Sequence, residues 1–196
     1  VNIPEFSKNY IGELCGLLDR FDMERFQQLV EKLLDAYHDA HGIFVMGNGG
    51  SAATASHFAC DINKGCCLDL KKKFRVICLN DSLPTIMALA NDLDYAAVFV
   101  EQLKNFFVPG DLVIGISGSG NSPNVLNAIQ YARENRGYTI GLTGYSGGRL
   151  SHMVDLAIVT PSDDMQKIED MHMILVHMTM QAVYGHLHEK SGTSGC

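Results

Sequence analysis

Three stretches of this chain have residue types and spacings that could do chemistry. The first is Ser117-Gly118-Ser119-Gly120-Asn121-Ser122-Pro123, which follows an apolar run ending at Ile116. Each serine hydroxyl can donate and accept, and Ser122 before Pro123 reads as an N-cap and a first helical residue. A strand, a Gly/Ser loop and a helix start aim free backbone N–H groups and the positive helix end at one spot, so the expected guest is an anion, phosphate above all. A turn with no ligand fits a single such loop equally well. The second stretch is Gly47-Asn48-Gly49-Gly50-Ser51-Ala52-Ala53, again small residues entering a helix. Neither has the GxGxxG spacing of a dinucleotide site, and no GKS or GKT is present. The third is a set of imidazoles and carboxylates. His57 and Asp61 are four apart on one helical face, and a distant helical segment carries Glu169, Asp170, His172 and His177. Such groups can hold a metal or move protons. They also fit an ordinary exposed helical pair and core histidines bonded to backbone. Glu169 and His177 are ~80° apart in azimuth and ~12 Å apart along the axis, so they reach one ion only if both lean inward.

The elements that must position these groups follow from hydrophobic periodicity. Residues 5–40 read as two amphipathic helices, with Asp22 as a cap between them. From residue 42 strands and helices alternate: strands at 43–46, 74–79, 112–116, 138–142 and 156–159, and helices at about 51–64, 84–90, 95–107, 125–135, 147–153 and 165–190. Continuous apolar strands between helices imply an α/β fold with a five-stranded parallel sheet covered on both faces. In the flavodoxin-like order 2-1-3-4-5, strands one and three are neighbours at the switch point. The two small-residue loops would then face each other across one crevice, which favours a phosphorylated ligand. Asn91 and Asp92 close a helix ahead of Asp94; contacts to sugar hydroxyls and a plain C-cap with its turn both fit. The methionines near 165–180 read as packing. One domain is expected over 1–190, with 1–40 as an N-terminal helical pair and 191–196 as a flexible tail.

Composition narrows the partners. A net charge of −7 argues against a broad basic face for nucleic acid. Lys71-Lys72-Lys73 with Arg75 reads as a solvated approach to a strand. No apolar run reaches membrane-spanning length. The six cysteines have no zinc-type CxxC spacing and several lie in apolar patterns, as expected of a reducing cytoplasm without a disulfide framework.

On these motifs the chain resembles the sugar isomerase (SIS) domain, specifically the phosphoheptose isomerase family. The matching stretches are Gly47 to Ala53, His57-Phe-Ala-Cys-Asp61, Asn91-Asp92, Ser117 to Ser122, Leu142-Thr-Gly144, and Lys167 through His172 to His177. The resemblance implies conversion of sedoheptulose 7-phosphate to D-glycero-D-manno-heptose 7-phosphate through an enediol(ate), on the way to nucleotide-activated heptoses. It implies a homotetramer with sites at subunit interfaces and a divalent metal, zinc in some members. Carried over by position, Asn48, Gly49, Gly50 and Ser51 line the sugar site. Ser117, Gly118, Ser119 and Ser122 hold the phosphate, and Asn91 and Asp92 touch the substrate. His57, Asp61, Glu169 and His177 surround the metal and the reacting carbons, with Asp61 or Glu169 as base and His177 as acid. Four positions depart from the family pattern: Asp61 stands for Glu, Glu169 for Gln, Gly65 for Arg beside Lys64, and Gly118 for Thr. A non-catalytic sugar-phosphate binder, a replication-initiator-binding paralogue and an isomerase of another ketose phosphate are the competing readings; Asp61 together with His177 favours an enzyme.

Overall fold

The computed structural model of the protein describes residues 1–192. Five parallel strands form one sheet in the order β2-β1-β3-β4-β5. They are β1 (Ile43–Gly47), β2 (Val76–Cys78), β3 (Leu112–Ser117), β4 (Tyr138–Thr143) and β5 (Leu156–Val159). β1 and β3 pair directly, with Gly47 opposite Ile116, so both small-residue loops leave the same carboxyl edge of the sheet. The expected strand order and switch point are as read from the sequence.

Side-chain alternation along β1 splits the core in two. Ile43 and Val45 face α2 (Met23–Asp39), α3 (Gly50–Cys60) and α8 (Met165–Gly192), with Leu33, Phe58 and Val176 buried there. Phe44 and Met46 face the other layer, α5 (Val98–Phe106) and α6 (Pro123–Glu134), with Phe99 and Ile129 buried. Asp22 caps α2 as expected, its carboxylate accepting from Arg25 N at 3.0 Å. α1 (Ile3–Leu18) packs outside, against α8.

Several boundaries differ from the sequence reading. The helix expected over 51–64 stays α-helical only to Cys60; Asp61–Gly65 widen into a π turn, with Cys66 N bonded to Asp61 O at 3.1 Å. Single π turns concentrate at functional sites because they re-aim one side chain, and this one begins at Asp61. β2 spans three residues rather than six. It is an edge strand, and on its outer side the Asn63 amide stands in for a neighbour, donating to Val76 O and accepting from Val76 N. α4 (Leu83–Asp92) takes in Asn91 and Asp92 as its last turn. Ser191 and Gly192, read as tail, are helical; helix propagation from the long α8 outweighs their composition. The rest of that tail, 193–196, lies outside the described residues.

Candidate active site

The two loops enclose one hollow of about 290 Å³. Asn48, Gly49, Gly50 and Ser51 line it from β1, and Ser117, Gly118, Ser119 and Ser122 from β3. Ser122 holds the N-cap position of α6, but its hydroxyl does not cap. It lies 3.1 Å from Ser117 Oγ, which leaves both hydroxyls facing each other at the mouth of the helix. Ser119 Oγ accepts from Asn121 N at 3.2 Å, so the loop is braced before any ligand arrives. A larger groove of about 780 Å³ runs along the outer edge of β2. It is lined by none of the residues carried over above to the sugar, the phosphate or the metal, and size alone does not define a binding site.

The first turns of α8 form the far wall of the hollow through Met165 and Glu169. The Glu169 carboxylate lies directly against the Cα of Gly50, where any side chain would collide with it. Gly118 has the same relation to Met165: a Cβ there would fall 2.5 Å from its sulfur. The departure from Thr at position 118 therefore has a structural counterpart, a methionine occupying the room a side chain would need. Met165, read from sequence as packing, is thus a wall of the site; only the pairing of two distant positions reveals this.

Beside the hollow, α3 and α8 bring three groups together. His57 Nε2 and His177 Nε2 are 3.1 Å apart, and His57 Nε2 lies 3.2 Å from Asp61 Oδ2. One ligand atom from each of His57, Asp61 and His177 lies within 4.8 Å of the other two. Asp61 Oδ2 is buried and has no hydrogen-bond partner among the described residues. A buried carboxylate oxygen left unsatisfied is costly, and a cation shared with two imidazole nitrogens would relieve it. Two nitrogens and one oxygen suit zinc or another borderline divalent ion. Glu169 is not among these three; its carboxylate lies at the hollow instead.

Asn91 and Asp92 are exposed and bonded to each other, Asn91 Nδ2 to Asp92 Oδ1 at 2.8 Å, and do not line the hollow. Their segment is nonetheless tied to it through Tyr95, whose hydroxyl reaches Asn48. His172 takes the structural role: it is 1% exposed and its Nε2 lies 3.1 Å from Thr143 O, donating to it. Burial pushes its pKa down to about 4, against a smaller opposing effect of that bond, so the ring is neutral.

Sequence reading missed how α8 is held at the entrance. The Lys167 ammonium is buried beside Asp164 and reaches Glu13 on α1 at 2.8 Å, while Tyr10 donates to Asp170 at 2.6 Å. The neighbouring carboxylates, Asp164 first and Glu13 second, raise the Lys167 pKa. These residues flank Glu169 on both sides, so α1 fastens the turn that carries it.

A doubly wound sheet whose β1 and β3 loops share one small-residue hollow is the arrangement of a SIS domain, and residues 9–144 match that family. The chain is 36% identical to the phosphoheptose isomerase of Helicobacter pylori, over 86% of this chain and 87% of that one. It is 37% identical to the phosphoheptose isomerase of Trichlorobacter lovleyi, over 77% and 76%. Its fold superposes on the phosphoheptose isomerase structure from Neisseria gonorrhoeae with a TM-score of 0.86 at 28% identity, covering 93% of this chain and 98% of the other. The chain belongs to the phosphoheptose isomerase family.

Proposed function

We propose that the protein isomerises sedoheptulose 7-phosphate to D-glycero-D-manno-heptose 7-phosphate, supplying nucleotide-activated heptose synthesis. The single observation that carries this reading is the adjacency of a hydroxyl- and backbone-lined hollow to an imidazole–carboxylate cluster, in a chain of this family. The hollow binds the phosphoryl group through Ser117, Ser119 and Ser122 and the start of α6. The extended sugar then brings C1 and C2 beside Glu169, Asp61 and His177.

The open-chain ketose has its carbonyl at C2. Glu169 takes a proton from C1 and returns it to C2 of the resulting cis-enediol. His177 moves a proton between the two oxygens, from the C1 hydroxyl to the oxygen on C2. Glu169 is the better base because Asp61 is engaged elsewhere. Together with His57 it would hold a divalent ion, zinc by its donor set, and His177 would complete that set only while it is not carrying the proton. Such an ion, when bound, polarises the carbonyl. Asp61 is one methylene shorter than the family's Glu, and Glu169 adds a charge where the family carries an amide. The two exchanges move the carboxylate used for proton transfer from α3 to α8.

Assembly as a homotetramer with sites at subunit interfaces belongs to the same reading. Ile3, Phe6 and Ile11 on α1 and Leu83 and Met87 on α4 are exposed apolar residues in the single chain, and His57 and His177 are themselves exposed. The expected mass by light scattering is four times the 21.5 kDa chain. A cytoplasmic setting fits Cys15, Cys60, Cys66, Cys67 and Cys78, which are all free thiols. No helix among the described residues is long and apolar enough to cross a membrane.

The test is isomerisation of sedoheptulose 7-phosphate in D₂O, with and without chelator, following deuterium at C1 of the ketose and C2 of the product. No exchange and no turnover with this substrate, while another ketose phosphate is converted, would reassign the substrate. No turnover with C5 to C7 ketose phosphates would end the isomerase reading.

A further inference from the structure

The Asn48 amide is held from two sides. Its Nδ2 donates to Asn124 Oδ1 at 2.9 Å, and Asn124 Nδ2 donates back to Asn48 Oδ1 at 2.9 Å. The Tyr95 hydroxyl donates to that same Oδ1, also at 2.9 Å. The direction of these bonds is dictated from the backbone. Val125 N lies 3.0 Å from Asn124 Oδ1, and a backbone N–H can only donate, so the atom facing it must be the carbonyl oxygen. That fixes which way the Asn124 amide points and makes its Nδ2 face Asn48. Asn48 must then answer with its oxygen. Its Nδ2 carries two hydrogens, of which one is used among the described residues.

Asn124 is 1% exposed, so water does not compete for this pairing. The turn carrying Tyr95 is tied to α6 a second time, by Asn127 Nδ2 donating to Ala96 O at 3.0 Å. Three segments distant in sequence thus converge on one side chain that lines the hollow.

We infer that Asn124 and Tyr95 are positioning residues for substrate recognition: they lock Asn48 so that it offers an N–H, never its C=O, to an oxygen of the bound sugar phosphate. Were the amide free to turn over, it could meet that oxygen with its own carbonyl. The lock removes the wrong orientation before the ligand enters. The inference rests on the sugar-phosphate reading above for its ligand, but the orientation of the amide does not depend on which sugar binds.

The test is a double-mutant cycle on the full chain with sedoheptulose 7-phosphate. Tyr95→Phe removes one hydroxyl and keeps the ring; it is expected to raise KM about fivefold, with kcat and melting temperature nearly unchanged. Asn124→Ala frees the amide to turn and is expected to raise KM more, by about tenfold or beyond. In an Asn48→Ala background, Tyr95→Phe should add nothing. An equal effect in both backgrounds overturns the inference, as does a loss confined to kcat or to thermal stability. If Asn124→Ala does not fold, the Tyr95 cycle decides alone. A second readout needs no turnover: the ¹⁵N–¹H side-chain amide signals of Asn48, assigned by their loss in Asn48→Ala. They should move in Tyr95→Phe, and move in the unmodified protein on adding sedoheptulose 7-phosphate. Signals that ignore Tyr95→Phe overturn the positioning. Signals that respond to both, in a protein that does not isomerise the sugar, overturn the assigned activity and leave the positioning standing.

Discussion

The hollow and the reactive cluster sit side by side but are built on opposite plans. The hollow is made of short loops at the ends of adjacent strands, and its polar groups largely satisfy one another: Ser117 with Ser122, Asn48 with Asn124, Ser119 with Asn121. The cluster is made of side chains from α3, the π turn that follows it and α8, which meet only through tertiary packing, and it leaves Asp61 Oδ2 buried with no hydrogen-bond partner among the described residues. Grip is preformed at one edge of the sheet; reactivity is brought together by helix packing and is incomplete without something to neutralise it. Holding a phosphoryl group calls for many weak donors in a fixed shape, whereas proton transfer calls for a few groups whose charge is not already spent on neighbours.

This contrast can be broken most forcefully at His177. His177→Ala should lower kcat by about 10³-fold, while the affinity for sedoheptulose 7-phosphate measured by calorimetry changes little. Comparable losses in both would mean that the two regions are not separable. The next effect concerns the seating of α8. His172 has a folded pKa of about 4 against about 6.5 unfolded, so the unfolded chain takes up its proton first. The stability it contributes is complete above about pH 6.5 and is lost as pH falls toward about 4, to a total of roughly 3 kcal/mol. Urea titrations at pH 7 and pH 4 should show His172→Gln losing less than the unmodified chain by about that amount; identical losses would remove His172 as the cause.

A smaller effect is expected where the two regions touch. Gly50→Ala belongs to the loop, yet its methyl group must displace the Glu169 carboxylate. Its cost should fall on kcat, by about 2 kcal/mol or roughly thirtyfold, and a change in KM alone would place Glu169 outside the chemistry. Smallest is Ser119→Ala, which removes one of several donors; KM should rise about fivefold, near 1 kcal/mol, with kcat unchanged.

What could be read from the sequence divides along the same line. The strands and both loops follow from local patterns, because the apolar runs, the glycines and Pro123 act within a few residues of themselves, while the strand order follows from the doubly wound plan that such alternation implies. The pairing of Gly118 with Met165 and of Gly50 with Glu169 was not legible, since each joins positions with no periodic relation. Nor was the π turn at Asp61, whose residues read as ordinary helix until the packing of Gly65 on Met180 and of Cys66 in the core is known. His57 and Asp61 were visible as a helical pair, but their meeting with His177 is a property of how α3 and α8 pack together. Asn91 and Asp92, whose residue types fit either sugar contacts or a helix end, are in the single chain a helix end whose two side chains are bonded to each other.

Because α8 follows every other described element in the chain, the order of synthesis separates the two regions in time. A nascent chain leaves the ribosome amino end first. Both loops, with β1 and β3 that carry them, are synthesised before the segment bearing Glu169 and His177. A growing polypeptide therefore carries the donors for a phosphoryl group before it carries the groups that act on the sugar, and the hollow closes only when Met165 and Glu169 reach it.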